Sequence, residues 1–287
     1  MKTKTKTNTN TKITNNTIKY NKIIAWSVLT LSVCAMIFFG YKLREIGQTY
    51  HIGEEAYKDL AAAVRPGGPP VLNMAPAAGH ELSSAAKPEA PGEQEKFFKE
   101  VPYMNIDFGA LQKINPDAVA WLYSPDTPID YPVVRAKDYD YYLRHLPDGT
   151  YNANGTLFID YNWADFTDQL TIIYGHNMKS KSELMFGSLA NYKKQAYFEA
   201  HPYMYLYTDS GENYRVELMY GCVIGEGQWR DRAFMFDVNL DAFMAYAAQN
   251  TTFLSEVEYT QGEKIAVLST CSDEFDGARY VLMGVMR

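Results

Sequence analysis

The chain has 287 residues, 47% of them hydrophobic and 14% aromatic, which is ample for one good-sized core and too apolar for a disordered protein. Its formal charge of −7 is unevenly spread: residues 1–22 hold six of the 27 basic side chains and no acid, leaving 21 basic against 34 acidic, −13, in the remainder. That balance excludes nucleic acid as a partner of the main domain, and three cysteines, one inside an apolar run, exclude a disulfide scaffold.

Residues 1–22 are a Lys, Thr and Asn tract with almost no apolar side chains, and are expected to form a disordered cytoplasmic tail. Residues 23–41 follow without a charge. As a helix they span roughly 28 Å, close to the roughly 30 Å of a bilayer's hydrocarbon core. A single transmembrane helix is therefore predicted here. The Lys-rich flank on its amino side puts the N-terminus in the cytoplasm and the bulk of the chain outside the cell membrane. A cleaved signal peptide is the alternative, although the apolar region is long for one and no small-x-small pattern follows. Leu31-Ser-Val-Cys34 is similar to a lipoprotein box, with Val33 where a small residue is expected. Residues 42–64 read as a helical stalk, and 65–99, rich in Pro, Gly and Ala, as a flexible tether.

The folded domain is expected over residues 100–287. A short helix at 107–114 leads into the turn Asn115-Pro116-Asp117. Short apolar and aromatic runs then alternate with turn signals, at 120–123, 131–134, 156–159, 170–174, 203–207, 214–224, 265–268 and 280–285. Eight strands at this spacing predict a mainly β fold, a barrel or a sandwich. Helices are predicted at 184–192 and at 240–249, the second with an amphipathic spacing of Leu240, Phe243, Met244 and Ala247.

The chemistry concentrates in the last strand, loop and strand, residues 264–284. Cys271 ends the first strand and Arg279 begins the second, positions that can be neighbours in an antiparallel pair. His176 also closes a buried-strand pattern, Leu170-Thr-Ile-Ile-Tyr-Gly-His176. His51, His80, His145 and His201 read as surface residues. A Cys, a His and an Arg at strand ends make a complete covalent catalyst: a thiolate nucleophile, a proton donor for the leaving amine, and a permanent cation for the oxyanion. The plainer alternatives are a Cys222–Cys271 disulfide and a structural, hydrogen-bonded His176. No cluster with metal-ligand spacing is visible, so neither a metal nor another cofactor is expected.

Leu268-Ser-Thr-Cys271 with Arg279 eight positions on, and Tyr-Gly-His176-Asn-Met upstream, resemble the sortases, specifically class B. The resemblance covers about 106–285 and includes Ile114-Asn-Pro-Asp117 with Trp121, Ile129-Asp-Tyr-Pro-Val-Val134, Tyr142-Leu143, Gly155-Thr-Leu-Phe-Ile-Asp160 and Met185-Phe-Gly-Ser-Leu189. It implies a membrane-tethered cysteine transpeptidase of Gram-positive bacteria on an eight-stranded β-barrel, with N-terminal helices and a helix before the Cys strand. By position, the resemblance makes Cys271 the nucleophile, His176 the general acid and Arg279 the oxyanion or substrate-orienting residue. It places Leu143, Ser269, Thr270 and Ser272 along a sorting-signal groove, with Asp273 either orienting the site or solvated. The implied partners are secreted proteins with a C-terminal sorting signal, and an amine from a wall precursor peptide or a pilin. Val267 stands where many sortases have Thr. Tyr139 replaces an Asn that touches substrate in some class B relatives, and Cys222 has no counterpart role. Two other readings stay open: a wall-active cysteine L,D-transpeptidase or amidase, though the Ser-His-Gly before Cys and Arg two residues after it are missing, and a non-catalytic wall-binding β-domain.

Overall fold

The computed structural model describes residues 5–68, 101–159, 166, 168–178, 182–227 and 236–287. The chain divides into two compact units, Met1–His51 and Ile52–Arg287. Helix α1, Thr5–Val64, contributes to both.

In the first unit, Ile24, Trp26, Leu31, Phe38 and Phe39 are all exposed, and the helix from Trp26 onward holds a window of mean hydropathy 1.5, long and apolar enough to be a candidate membrane span. Residues 5–22, expected to be disordered, belong to the same helix. Once nucleated, a helix gains one hydrogen bond for each residue added, so a polar tract can prolong it.

The second unit begins well before residue 100. Tyr57, Leu60 and Val64 are buried, and their spacing puts them on one face of α1. The carboxyl end of the expected stalk is thus part of the folded domain. Arg65, just beyond it, is also buried; its guanidinium grips Asp130 with two bonds, Nη1 to Oδ1 at 2.5 Å and Nη2 to Oδ2 at 2.7 Å, and lies over the Trp121 ring. From residue 69 the expected tether lies outside the described residues.

Helix α2, Phe108–Ile114, starts at Asp107, whose carboxylate accepts the Ala110 N–H. The strands are β1 Ala118–Tyr123, β2 Asp130–Arg135, β3 Leu157–Ile159, β4 Leu170–Tyr174, β5 Tyr203–Thr208, β6 Asn213–Gly225, β7 Lys264–Cys271 and β8 Ala278–Met286. They close into a barrel in the order β1-β2-β3-β4-β7-β8-β6-β5, which removes free sheet edges. All neighbours are antiparallel except β2–β3 and β4–β7. The helix expected at 184–192 is instead a 3₁₀ turn, Gly187–Lys193, followed by α3, Gln195–Ala200. Gly and Asn within that run weaken a continuous α-helix. Helix α4, Phe236–Gln249, precedes β7.

Side chains on β7 and β8 alternate between two apolar clusters. Ala266, Leu268, Tyr280 and Leu282 join the large cluster, which also takes in the end of α1. Ile265, Val267, Val281, Met283 and Val285 join a second, formed with Phe243 and Ala247 of α4. Helix α4 therefore covers the outer face of the sheet. Burying such a face adds roughly 1.5–3 kcal/mol per large side chain.

Candidate active site

Cys271 and Arg279 are the last directly paired residues of the antiparallel β7–β8 hairpin. Side chains opposed in this way lie on one face, with Cβ atoms about 5 Å apart. The alternation along each strand identifies that face: Cys271 follows Val267 and Ser269, and Arg279 precedes Val281 and Met283, so both belong to the outer face that α4 covers farther along. The hairpin is closed by Ser272 N–H donating to the Ala278 carbonyl at 2.8 Å, with Gly277 at φ 73° making the turn.

His176 arrives from the other side of β7. In the parallel β4–β7 pair Tyr174 is opposite Ser269, and two residues farther along this register His176 comes beside Cys271. Leu170 and Ile172 belong to the outer cluster and Tyr174 packs against both clusters; strand parity, continued past the end of β4, assigns His176 to the outer side. The loop after it is held by an isolated bridge between Asn177 and Met185 and by Phe186 N–H donating to the His176 carbonyl at 3.1 Å. The register thus directs the ends of β4, β7 and β8, and with them an imidazole, a thiol and a guanidinium, toward one rim.

Cys271 is exposed and, like Cys222, is a free thiol, which removes the disulfide alternative. Cys222 is buried under α4, and burial pushes its thiol up to about 12, so it stays protonated. Arg279 is mostly buried; its Nη2 lies 3.5 Å from Glu226 Oε1, and its Nε has no hydrogen-bond partner.

The groove residues separate. Ser269 lies on the Cys271 face, is 1% exposed, and has a hydroxyl without a hydrogen-bond partner. Thr270 points to the opposite face, and its hydroxyl donates to the Gly175 carbonyl at 2.9 Å, so it does not line an outer groove. Ser272 is buried; it donates to Glu274 and accepts from Lys193 Nζ at 3.2 Å. Asp273 is exposed beside it. Leu143 ends the 3₁₀ turn Tyr141–Leu143 and packs, half-buried, against the large cluster.

Several neighbours carry no signal in the sequence. Tyr174, two residues before His176, meets Tyr139 edge to face at 5.8 Å. Lys193 pairs with Glu274 and lies 5.3 Å over the Tyr280 ring, bracing the hairpin loop. Burial would raise the Glu274 pKa, but hydrogen bonds from Lys193 and Ser272 outweigh it and hold the carboxyl below its ordinary range. Among the described residues no group of three His, Cys, Asp or Glu side chains is arranged to hold a metal ion.

No family model matches the chain. It is 36% identical over 179 residues to the protein named sortase B in Listeria monocytogenes, across 61% of this chain and 71% of that one. To sortase B of Staphylococcus aureus it is 28% identical over 189 residues, across 63% and 76%. Among solved structures it is similar to a Staphylococcus aureus sortase B–substrate complex, with TM-score 0.56 and 25% identity over 63% of this chain and 84% of that one. It is also similar to a Streptococcus pyogenes class B sortase involved in pilus biogenesis, with TM-score 0.55 and 27% identity over 63% of this chain and 97% of that one.

Proposed function

We propose, from the premise that this chain belongs to the class B sortases and is a cysteine transpeptidase, that it cleaves a C-terminal sorting signal and passes the acyl product to a cell-wall or pilin amine. What supports the reading is the register: Cys271 is paired with Arg279, and the β4–β7 alignment, continued two residues past Tyr174, leads to His176.

The proposed chemistry has two balanced steps. Cys271 Sγ attacks the scissile carbonyl carbon; the C–S bond forms, the C–N bond breaks, and His176 gives its proton to the departing nitrogen. The thioacyl carbonyl is then attacked by the acceptor amine. A new C–N bond forms, the amine's proton passes to His176, and the Cys271 thiolate leaves. In both tetrahedral species Arg279 donates hydrogen bonds to the oxyanion. Ser269, Leu143 and Ser272 with Asp273 are the proposed groove contacts. Residues 23–41 anchor the enzyme, with the N-terminus cytoplasmic and the catalytic unit outside.

The test uses the full chain in detergent micelles with a panel of fluorogenic sorting peptides, with and without an added amine. The wild type is expected to cleave at least one peptide and to carry a peptide-sized mass on Cys271, while Cys271→Ala does neither. Equal cleavage by the Ala variant rules the mechanism out.

A further inference from the structure

The β4–β7 pairing continues past the last residue of β4 through three hydrogen bonds. Gly175 N–H donates to the Ser269 carbonyl at 3.2 Å, Thr270 Oγ1 donates to the Gly175 carbonyl at 2.9 Å, and Asn177 Nδ2 donates to the Cys271 carbonyl at 2.7 Å. The residue before His176 and the residue after it are therefore each tied to β7, and one of the ties ends on the nucleophile itself. A strand end without such ties frays, because each residue past the ladder has only itself to order. The other walls of the loop are fixed separately, by the Asn177–Met185 bridge and the Phe186-to-His176 bond.

We infer that Asn177 and Thr270 are positioning residues, forming a side-chain clasp that sets the separation and alignment of the His176 and Cys271 backbones. Thr270 takes part from the opposite face of β7, where it cannot touch a peptide on the outer face. Asn177 serves through its amide N–H, which satisfies a carbonyl at the end of β7. Neither residue takes part in bond making. Both act on the chemical step, because proton transfer between the imidazole and the reacting atoms requires hydrogen-bond reach. The turnover part of the inference rests on the transpeptidase reading above; the part concerning thiol reactivity does not.

The test compares full-length wild type with Asn177→Ala, Thr270→Val and Thr270→Ser in micelles. With a cleavable sorting peptide, Asn177→Ala and Thr270→Val are each expected to lower kcat by about 10- to 100-fold, the scale of an ångström-sized misplacement, with KM within about twofold. Thr270→Ser keeps the hydroxyl and is expected within about threefold of wild type, separating the hydrogen bond from packing. In parallel, the iodoacetamide alkylation rate of Cys271, read from the mass of its peptide, is expected to change at least about threefold in Asn177→Ala, because the end of β7 that carries the thiol is no longer held by the Asn177 amide. Wild-type kcat in both disrupting variants, losses confined to KM, or a Thr270→Ser as poor as Thr270→Val overturns the inference. If the wild type cleaves no peptide, the transpeptidase reading fails, and the clasp is then decided by alkylation: a rate unchanged by Asn177→Ala overturns it.

Discussion

Arg279 lies beside Glu226, Nη2 to Oε1 at 3.5 Å, at the point where β6 ends and β8 begins. The separation exceeds a good charge-assisted hydrogen bond, and Glu226 is 39% exposed, so the pair is a loose tether. The guanidinium keeps donors for another acceptor. Glu226→Gln is therefore expected to change kcat/KM on a cleavable sorting peptide by no more than about fivefold, the reach of a surface pair. Arg279→Lys, which keeps the charge and loses the fork, is expected to lower it by at least about tenfold. A Glu226→Gln loss as large as that of Arg279→Lys would show that the tether matters more than its geometry implies.

Cys222 and Cys271 are both free, yet one is buried with its thiol raised to about 12 and the other is exposed. Iodoacetamide is expected to label Cys271 in the folded chain and to leave Cys222 untouched until denaturant is added. Peptide mass spectrometry before and after unfolding checks this, and early labelling of Cys222 would mean that α4 does not stay on the sheet.

Arg65 and Asp130 form a bidentate pair with Arg65 buried, and Asp130 also accepts from Trp121 Nε1 at 2.7 Å. Removing one partner strands a buried charge. Asp130→Ala is expected to destabilise by about 3–5 kcal/mol, and the double variant Asp130→Ala/Arg65→Met to recover much of that loss. Denaturant midpoints of the three chains decide it.

Gly155 has φ 64°, and a Cβ there would meet the carbonyl oxygens of Tyr142 at 2.6 Å and Leu143 at 2.7 Å. The loop also receives Tyr57, whose hydroxyl donates to the Gly155 carbonyl. Gly155→Ala therefore combines backbone strain with a clash that no rotamer relieves, and is expected to cost on the order of 3 kcal/mol. A thermal melt within a degree or two of wild type would show that the loop can shift, carrying Leu143 with it.

Glu274 titrates below its ordinary range in the folded chain, held by Lys193 and Ser272 against the opposing effect of burial. A carboxylate with a depressed folded pKa contributes stability that is complete above the unfolded value, about 4.3, and is lost as pH falls through the lower folded value. The same sign holds for Glu263, lowered by its hydrogen bond from Arg287. Thermal melts of wild type and Glu274→Gln are expected to differ most near pH 6 and to converge as acid protonates the wild-type carboxyl well below about pH 4. A constant difference across that range would contradict the assignment.

All eight strands were legible because each is a short apolar run between turn residues, and the ends of β7 and β8 were legible because apolar runs stop there at Cys271 and Arg279. Strand order was not, since the parallel β4–β7 neighbour relation joins segments nearly a hundred residues apart and leaves no local signal. The buried end of α1 was missed for a different reason. Tyr57, Leu60 and Val64 have helical spacing, but polar residues between them made the segment read as a stalk. The resemblance implies a groove role for Thr270, whereas its parity with Leu268 puts its side chain on the other face of β7. Glu226 and Lys193 reach the site through tertiary packing alone, which no motif encodes.

The contact between Asn177 and Cys271 spans 94 residues of chain. Loop closure of that length has to occur before the thiol and its partners share a surface, and long-range parallel pairing is among the slower events in folding. Competence is therefore a property of the finished barrel and of no fragment of it. Until the molecule has reached its final topology, Cys271 and the residues that surround it in the barrel are simply distant points on one chain.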